Sequence, residues 1–259
     1  MMPLEAVAGG LSAIGLSLGT AVSVFLRVGA AMAVLPALGE QSVSPRIRLA
    51  LCLAFTAVVA PAIPPVPLAS DLAGLTAGMI ADAAIGLVLG LSLRLAVHAL
   101  QMVGAIVAQL SALAQIAGTP GLEPQPAIGN TLVIAALALA CAMGLHVRVA
   151  EAFIRSYDIL PAATFPGAGD VARWSVAGAA QATALALGLA TPFVVVSLVY
   201  NLALGAINRA MPQLMVALIG APAVSLGTLA LLAVSAPTLL EVWRTALELR
   251  LVEPFAEVR

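Results

Sequence analysis

The chain has 259 residues, of which 62% are hydrophobic and 9% charged, with a formal net charge of -1. Soluble domains carry about 25% charged residues, so these proportions exclude a soluble globular domain and describe an integral membrane protein. The net charge says nothing of partners, but all eleven basic residues are Arg and none is Lys.

Apolar runs approaching or exceeding the ~20 residues that cross a bilayer core recur along the chain. The first goes from Ala6 to Leu38, interrupted by Arg27 alone, and ends at Pro36-Ala37-Leu38-Gly39. It is too long for one upright crossing, so a tilt, break or projection into water is expected. No basic region precedes it, so it is expected in the mature protein. A polar turn with Glu40, Pro45, Arg46 and Arg48 leads to a second run, Leu49 to about Ala60, which dissolves into the prolines of 61–67. The third, Leu72 to Leu93, carries Asp82 at its centre and the small-xxx-small pairs Gly74/Gly78 and Gly86/Gly90, spacings that let helices approach closely. Gly15/Gly19 is a similar pair in the first run.

A fourth run, Leu95 to Ala117, and a fifth, Ala127 to Val147, contain no charged side chain. Between them lies Gly118-Thr119-Pro120-Gly121-Leu122-Glu123-Pro124-Gln125-Pro126, whose prolines and glycines cannot continue a helix. Arg94, His98, Gln101, Gln109, Ser111 and Gln115 fall within an arc of about 160° at 100° per residue. At membrane depth such a stripe turns to protein or water. It either serves a path or merely packs on neighbouring helices. A polar segment from Arg148 to Arg173 follows, then a sixth run, about Trp174 to Ala206, with Pro192 inside it as an expected kink, and a seventh from Leu214 to about Ser235. Residues 1–240 read as one membrane-embedded helical domain and 241–259 as a short charged tail. The fold class is all-α: a polytopic membrane protein of long, kinked helical hairpins with about six to seven apolar helices.

Read as seven crossings, the connections after runs one, three and five hold Arg46, Arg48, Arg94, Arg148, Arg155 and Arg173, and the tail adds Arg244, Arg250 and Arg259, against Arg209 alone opposite. Cytoplasmic loops are enriched in basic residues, which predicts an outside N-terminus and a cytoplasmic C-terminus.

Candidate chemistry is sparse. Arg27 and Asp82 are ionisable groups inside apolar runs, where such groups are costly and are paired or line a path. They are read as an interhelical structural pair, with Asp82 as a proton relay of an ion-coupled transporter as the other reading. A transporter of that kind is expected to show internal repeats, and none stands out; a purely structural scaffold would leave the polar stripe unexplained. Cys52 and Cys141 have no motif spacing and are read as packing residues. His98 and His146 lack a second ligand at metal spacing. There is no phosphate loop, nucleophile elbow or HExxH. No metal, cofactor, catalytic role or nucleic-acid partner is expected.

Four stretches taken together resemble the FliR family of export-gate proteins. They are Arg27 with Leu35-Pro36-Ala37-Leu38-Gly39, Val43-Ser44-Pro45-Arg46-Ile47-Arg48-Leu49 and Pro61; Asp82 through Ile85-Gly86-Leu87-Val88-Leu89-Gly90, where the family usually has Glu at the Asp82 position; Gly144-Leu145-His146 with Ser156-Tyr157-Asp158-Ile159-Leu160-Pro161; and Asn208-Arg209-Ala210-Met211-Pro212-Gln213-Leu214 with Ile219-Gly220-Ala221-Pro222. They stand in family order from near residue 20 to near residue 230. The departures lie at Gln109-Leu110-Ser111-Ala112 and Leu122-Glu123-Pro124-Gln125, where Ser111 replaces a glycine and the family's aromatics are missing.

The resemblance implies a role rather than a reaction. The chain is expected in the bacterial inner membrane at the flagellar basal body, beside FliP-like and FliQ-like subunits and an FlhB-like export switch protein, with unfolded exported subunits as cargo and lipid as surroundings. Service in a type III secretion injectisome is the alternative. It also implies a gate rising largely out of the bilayer plane, so that counting apolar runs overstates the crossings. The closing element of the channel is expected in Gln109, Ser111, Ala112, Leu113, Gln115, Ile116 and Leu122, with Gly118, Pro120, Gly121 and Pro124 as its hinge. Arg209, Pro212, Gln213, Gly220 and Pro222 carry the family motif. A connector loop with no part in gating is the other reading.

Overall fold

The computed structural model describes residues 18–39, 43–67, 69–113, 127–210 and 216–255. Among them are seven α-helices and no strand: α1 (Leu18–Val34), α2 (Pro45–Val59), α3 (Leu72–Leu113), α4 (Ala127–Ala142), α5 (Leu145–Ile159), α6 (Ala168–Ala210) and α7 (Val216–Val252), with a 3-10 turn at Ala60–Ala62. The chain is an all-α polytopic membrane protein.

Local chemistry sets the ends. Ser44 caps α2, its hydroxyl accepting from the Ile47 N–H at 3.4 Å, and Pro45 occupies the first turn, where its missing N–H costs nothing. Asp71 does the same for α3, accepting from the Gly74 N–H at 2.9 Å. Gly144, at φ 80°, lies between α4 and α5 in a conformation open to glycine without strain, and the two helices meet there at 75°. Leu160 is extended ahead of Pro161, which stops α5.

Three differences from the sequence expectation follow. Runs three and four form one helix, α3, 42 residues long and unbroken at Arg94. Arg94 is no connection: its guanidinium donates to the Val34 carbonyl at the end of α1, at 3.3 Å. The seven-crossing parity therefore loses one of its loops. Second, the fifth run stops at Ala142, and much of the segment read as polar is the amphipathic helix α5. Third, among the described residues four helices are long and apolar enough to cross a membrane, or five if α4 and α5 form one broken span. At 1.5 Å per residue α3 and α6 are each ~63 Å long, about twice the hydrocarbon thickness. Pro192 sits within α6 without ending it.

The chain divides into two units: Met1–Leu95 with Ala140–Gly178 and Leu247–Arg259, and Ala96–Leu139 with Ala179–Ala246. In the first, α1 crosses α3 at Gly86 and Gly90; a Cβ on Gly86 would stand 2.0 Å from the Arg27 carbonyl oxygen, and one on Gly90 2.7 Å from that of Ala31. Around this crossing Val24, Val28, Met32, Ile85, Leu89 and Phe153 are buried. Phe153 meets Phe55 edge-on at 6.1 Å. The last turn of α7 is pinned here: Arg250 donates to the Ser92 and Gly178 carbonyls, the Trp174 indole N–H donates to the Pro254 carbonyl at 2.9 Å, and Phe255 is buried. In the second unit α3 and α4 touch backbone to backbone, since a Cβ on Gly104 would lie 2.2 Å from the Gly129 Cα. Leu100, Val103, Leu132, Ala186 and Phe193 are buried, and the Trp243 indole donates to the Ala96 carbonyl at 2.8 Å.

Candidate functional site

Most of the polar groups buried in the first unit meet at one place. Arg27 points from α1 into the crossing with α3 and is 0% exposed, and Asp82 of α3 is 2% exposed. Two guanidinium nitrogens, Nε and Nη2, donate to Asp82 Oδ1 at 3.1 and 2.6 Å. Nη1 turns the other way, donating to Ser156 Oγ at 3.1 Å and to the Leu160 carbonyl at 3.0 Å. The guanidinium also lies over the Tyr157 ring, 3.6 Å from its centroid, within range of a cation–π contact. Ser23, one turn before Arg27, donates to Asp82 Oδ2 at 2.7 Å and stands 3.4 Å from the Tyr157 hydroxyl.

The sequence shows why these groups converge. Ser23 and Arg27 are four apart and share one face of α1. Gly86, one turn after Asp82, removes the side chain that would hold α1 away. α5 turns Val149, Ala152, Phe153, Ser156 and Tyr157 inward and exposes Arg155 and Asp158. Burying a charge is costly unless it is paired and hydrogen-bonded, and both members of this pair are. Chemically the node is a fixed cation held between one carboxylate, one hydroxyl, one carbonyl and one ring. It ties α1, α3 and α5 together, and no oxygen or nitrogen in it is placed as a free nucleophile.

The structure thus brings Arg27 and Asp82 into contact, and with them Ser156 and Leu160 of the third resembling stretch. Ser23 is not among the expected site residues, and Tyr157 stands in the third resembling stretch without an expected role. The helical spacing of Ser23 to Arg27 was a usable signal; nothing in the chain marks Tyr157 as the ring facing Arg27.

The other expected site residues are not gathered there. Gln109 is exposed on α3, as are Gln101 and Ala105 on the same face, while His98 Nδ1 and Gln101 Oε1 are 2.6 Å apart. Ser111, Ala112 and Leu113 are helical. Gln115, Ile116, Gly118, Pro120, Gly121, Leu122 and Pro124 lie outside the described residues, as do Pro212 and Gln213 of the family motif. Arg209 is exposed in the last turn of α6, and Gly220 and Pro222 lie in α7. Among the described residues no group of three or more His, Cys, Asp or Glu side chains could hold a metal ion.

Residues 18–249 match the family described as bacterial export proteins, family 1. The flagellar biosynthetic protein FliR of Caulobacter vibrioides is 34% identical over 227 residues, covering 86% of this chain and 90% of that protein. Its namesake in Escherichia coli K12 is 28% identical over 201 residues, 76% of each chain. The matched span takes in α1 to α6, most of α7 and the whole Arg27 node. The chain belongs to the bacterial export proteins of family 1, among the FliR proteins.

Proposed function

We propose that the chain is a structural subunit of the flagellar protein-export gate in the bacterial inner membrane. With FliP-like and FliQ-like membrane subunits it forms the path for unfolded flagellar subunits, and an FlhB-like switch protein docks nearby. The observation that carries this reading is the family match over residues 18–249, which includes the node built by three of the four resembling stretches. Two features fit it. In α6 the large apolar side chains Val194, Val195, Val196, Leu198, Val199 and Leu202 are exposed, which suits lipid or partner helices and not water. The exposed polar face at Gln101 and Gln109 suits a wet path. Gln109 to Leu122 is the closing element, hinged on Gly118, Pro120, Gly121 and Pro124. The arginine asymmetry of the sequence supports an outside N-terminus and a cytoplasmic C-terminal segment.

The chain runs no reaction of its own, and Asp82 serves the fold. Purifying the tagged chain from native membranes tests this. Recovery in a large complex with several copies of two small helical membrane proteins supports it, as does loss of flagellar subunits from the medium when the chain is deleted. A chain that purifies alone, with export unchanged by its deletion, refutes it.

A further inference from the structure

A cavity of about 280 Å³ opens beside the Arg27 node, within the first unit. Val22 and Leu26 of α1 and Leu75 and Met79 of α3 are among its apolar lining, and among the described residues the polar side chains that line it are Ser23 and Asp82. The volume lies just under the ~300–1,000 Å³ of small-molecule sites, which pair apolar walls with a few placed polar groups.

The polar end has a definite demand. A carboxylate has about four acceptor directions. In Asp82, Oδ1 accepts twice from Arg27 and Oδ2 once from the Ser23 hydroxyl. One direction on Oδ2 is left by these bonds, and Asp82 lines the cavity. The charge of Asp82 is already matched by Arg27 at 2.6 Å. A second cation would be desolvated without a counter-charge of its own, whereas a neutral O–H would not. An apolar molecule with no donor would leave that acceptor direction empty.

We propose that this cavity is a binding site for a small neutral amphiphile: an apolar body of medium-chain length ending in one hydroxyl. The hydroxyl donates to Asp82 Oδ2 beside Ser23, and the body lies along Val22, Leu26, Leu75 and Met79. Being half-buried in the wall, Met79 loses access to solvent when the site fills, while its exposed neighbour Ile80 does not.

The test uses the full chain in native membranes with Cys52 and Cys141 replaced by Ala. Met79→Cys and Ile80→Cys report through their rates of reaction with N-ethylmaleimide. 1-Octanol should slow labelling of Met79→Cys at least fivefold and leave Ile80→Cys unchanged. Octyl methyl ether, equal in apolar length but without a donor, should need a roughly five- to tenfold higher concentration for the same protection. Octylammonium should protect no better than the ether. Equal slowing at both positions would show general partitioning into the membrane and overturn the proposal. Equal potency of alcohol and ether would remove the role of Asp82. A Met79→Cys thiol that never reacts without alcohol would show a closed cavity and overturn it as well.

Discussion

Arg27 is the residue whose replacement the structure prices most definitely. Its guanidinium makes four hydrogen bonds and one ring contact with no solvent exposure. Arg27→Ala leaves Asp82 buried with only the Ser23 hydroxyl, the situation in which breaking one side of a buried pair costs about 3–5 kcal/mol. Arg27→Lys keeps the charge but not the fork, and cannot reach Asp82 on one side and both Ser156 and the Leu160 carbonyl on the other; it should lose about 1.5–3 kcal/mol, the worth of one bond to a charged donor. If the pair were symmetrical, exchanging its charges would restore stability. It is not: a carboxylate at position 27 would face the Leu160 carbonyl and the Tyr157 ring, both of which repel it. Arg27→Asp with Asp82→Arg should therefore stay as unstable as Arg27→Ala. Arg27→Met with Asp82→Leu should recover most of the loss, because it removes both charges together. The assay is the thermal midpoint of the detergent-solubilised complex, with the amount of assembled complex in membranes as a second readout. Full rescue by the charge exchange, or an Arg27→Ala protein of wild-type stability, would refute this account of the node.

Gly86→Ala places a methyl group 2.0 Å from the Arg27 carbonyl oxygen and should destabilise by at least about 1–3 kcal/mol, as overpacking does; Gly188→Ala on α6, with nothing within 4 Å, should be neutral or mildly stabilising in the same melt. Trp243→Phe, which deletes the 2.8 Å bond to the Ala96 carbonyl while the helical bond to that carbonyl stays, should cost about 0.5–1.5 kcal/mol. Asp82→Asn should lower assembly and export in parallel; normal assembly with export lost would instead make Asp82 a proton relay.

The helices were legible where apolar runs met clear punctuation. Ser44-Pro45 opens α2 and the prolines after Val59 close it, as expected from the chain. The Gly86/Gly90 spacing also read correctly as a close approach, and the backbone of α1 lies against it. Arg94 misled because a charge between two apolar runs looks like a turn. Its guanidinium instead satisfies the Val34 carbonyl from within α3, so the helix needs no break. α5 was hidden by its charges: Glu151, Arg155 and Asp158 dominate the pattern, while Val149, Phe153 and Tyr157 supply the buried face. Only half of the node could be read in advance. Two opposite charges in apolar runs suggest each other, but the neighbours Ser156, Tyr157 and the Leu160 carbonyl come from over 125 residues away and are fixed by tertiary packing alone. Of the expected closing element, Gln109 to Leu113 continue α3, while Gln115, Ile116 and Leu122 lie outside the described residues.

The proposed passage of unfolded cargo along this chain is tested most directly at Gln109. A photo-reactive amino acid placed at Gln109, on the exposed polar face of α3, should cross-link to a flagellar subunit stalled in export by a tightly folded fusion partner. The same amino acid at Val176, exposed on the first turns of α6, serves as the comparison. A cargo adduct should form from Gln109 and disappear when stalling is relieved, and none should form from Val176. Stalled cargo with no adduct from Gln109, in a complex that assembles normally, would contradict the proposed passage.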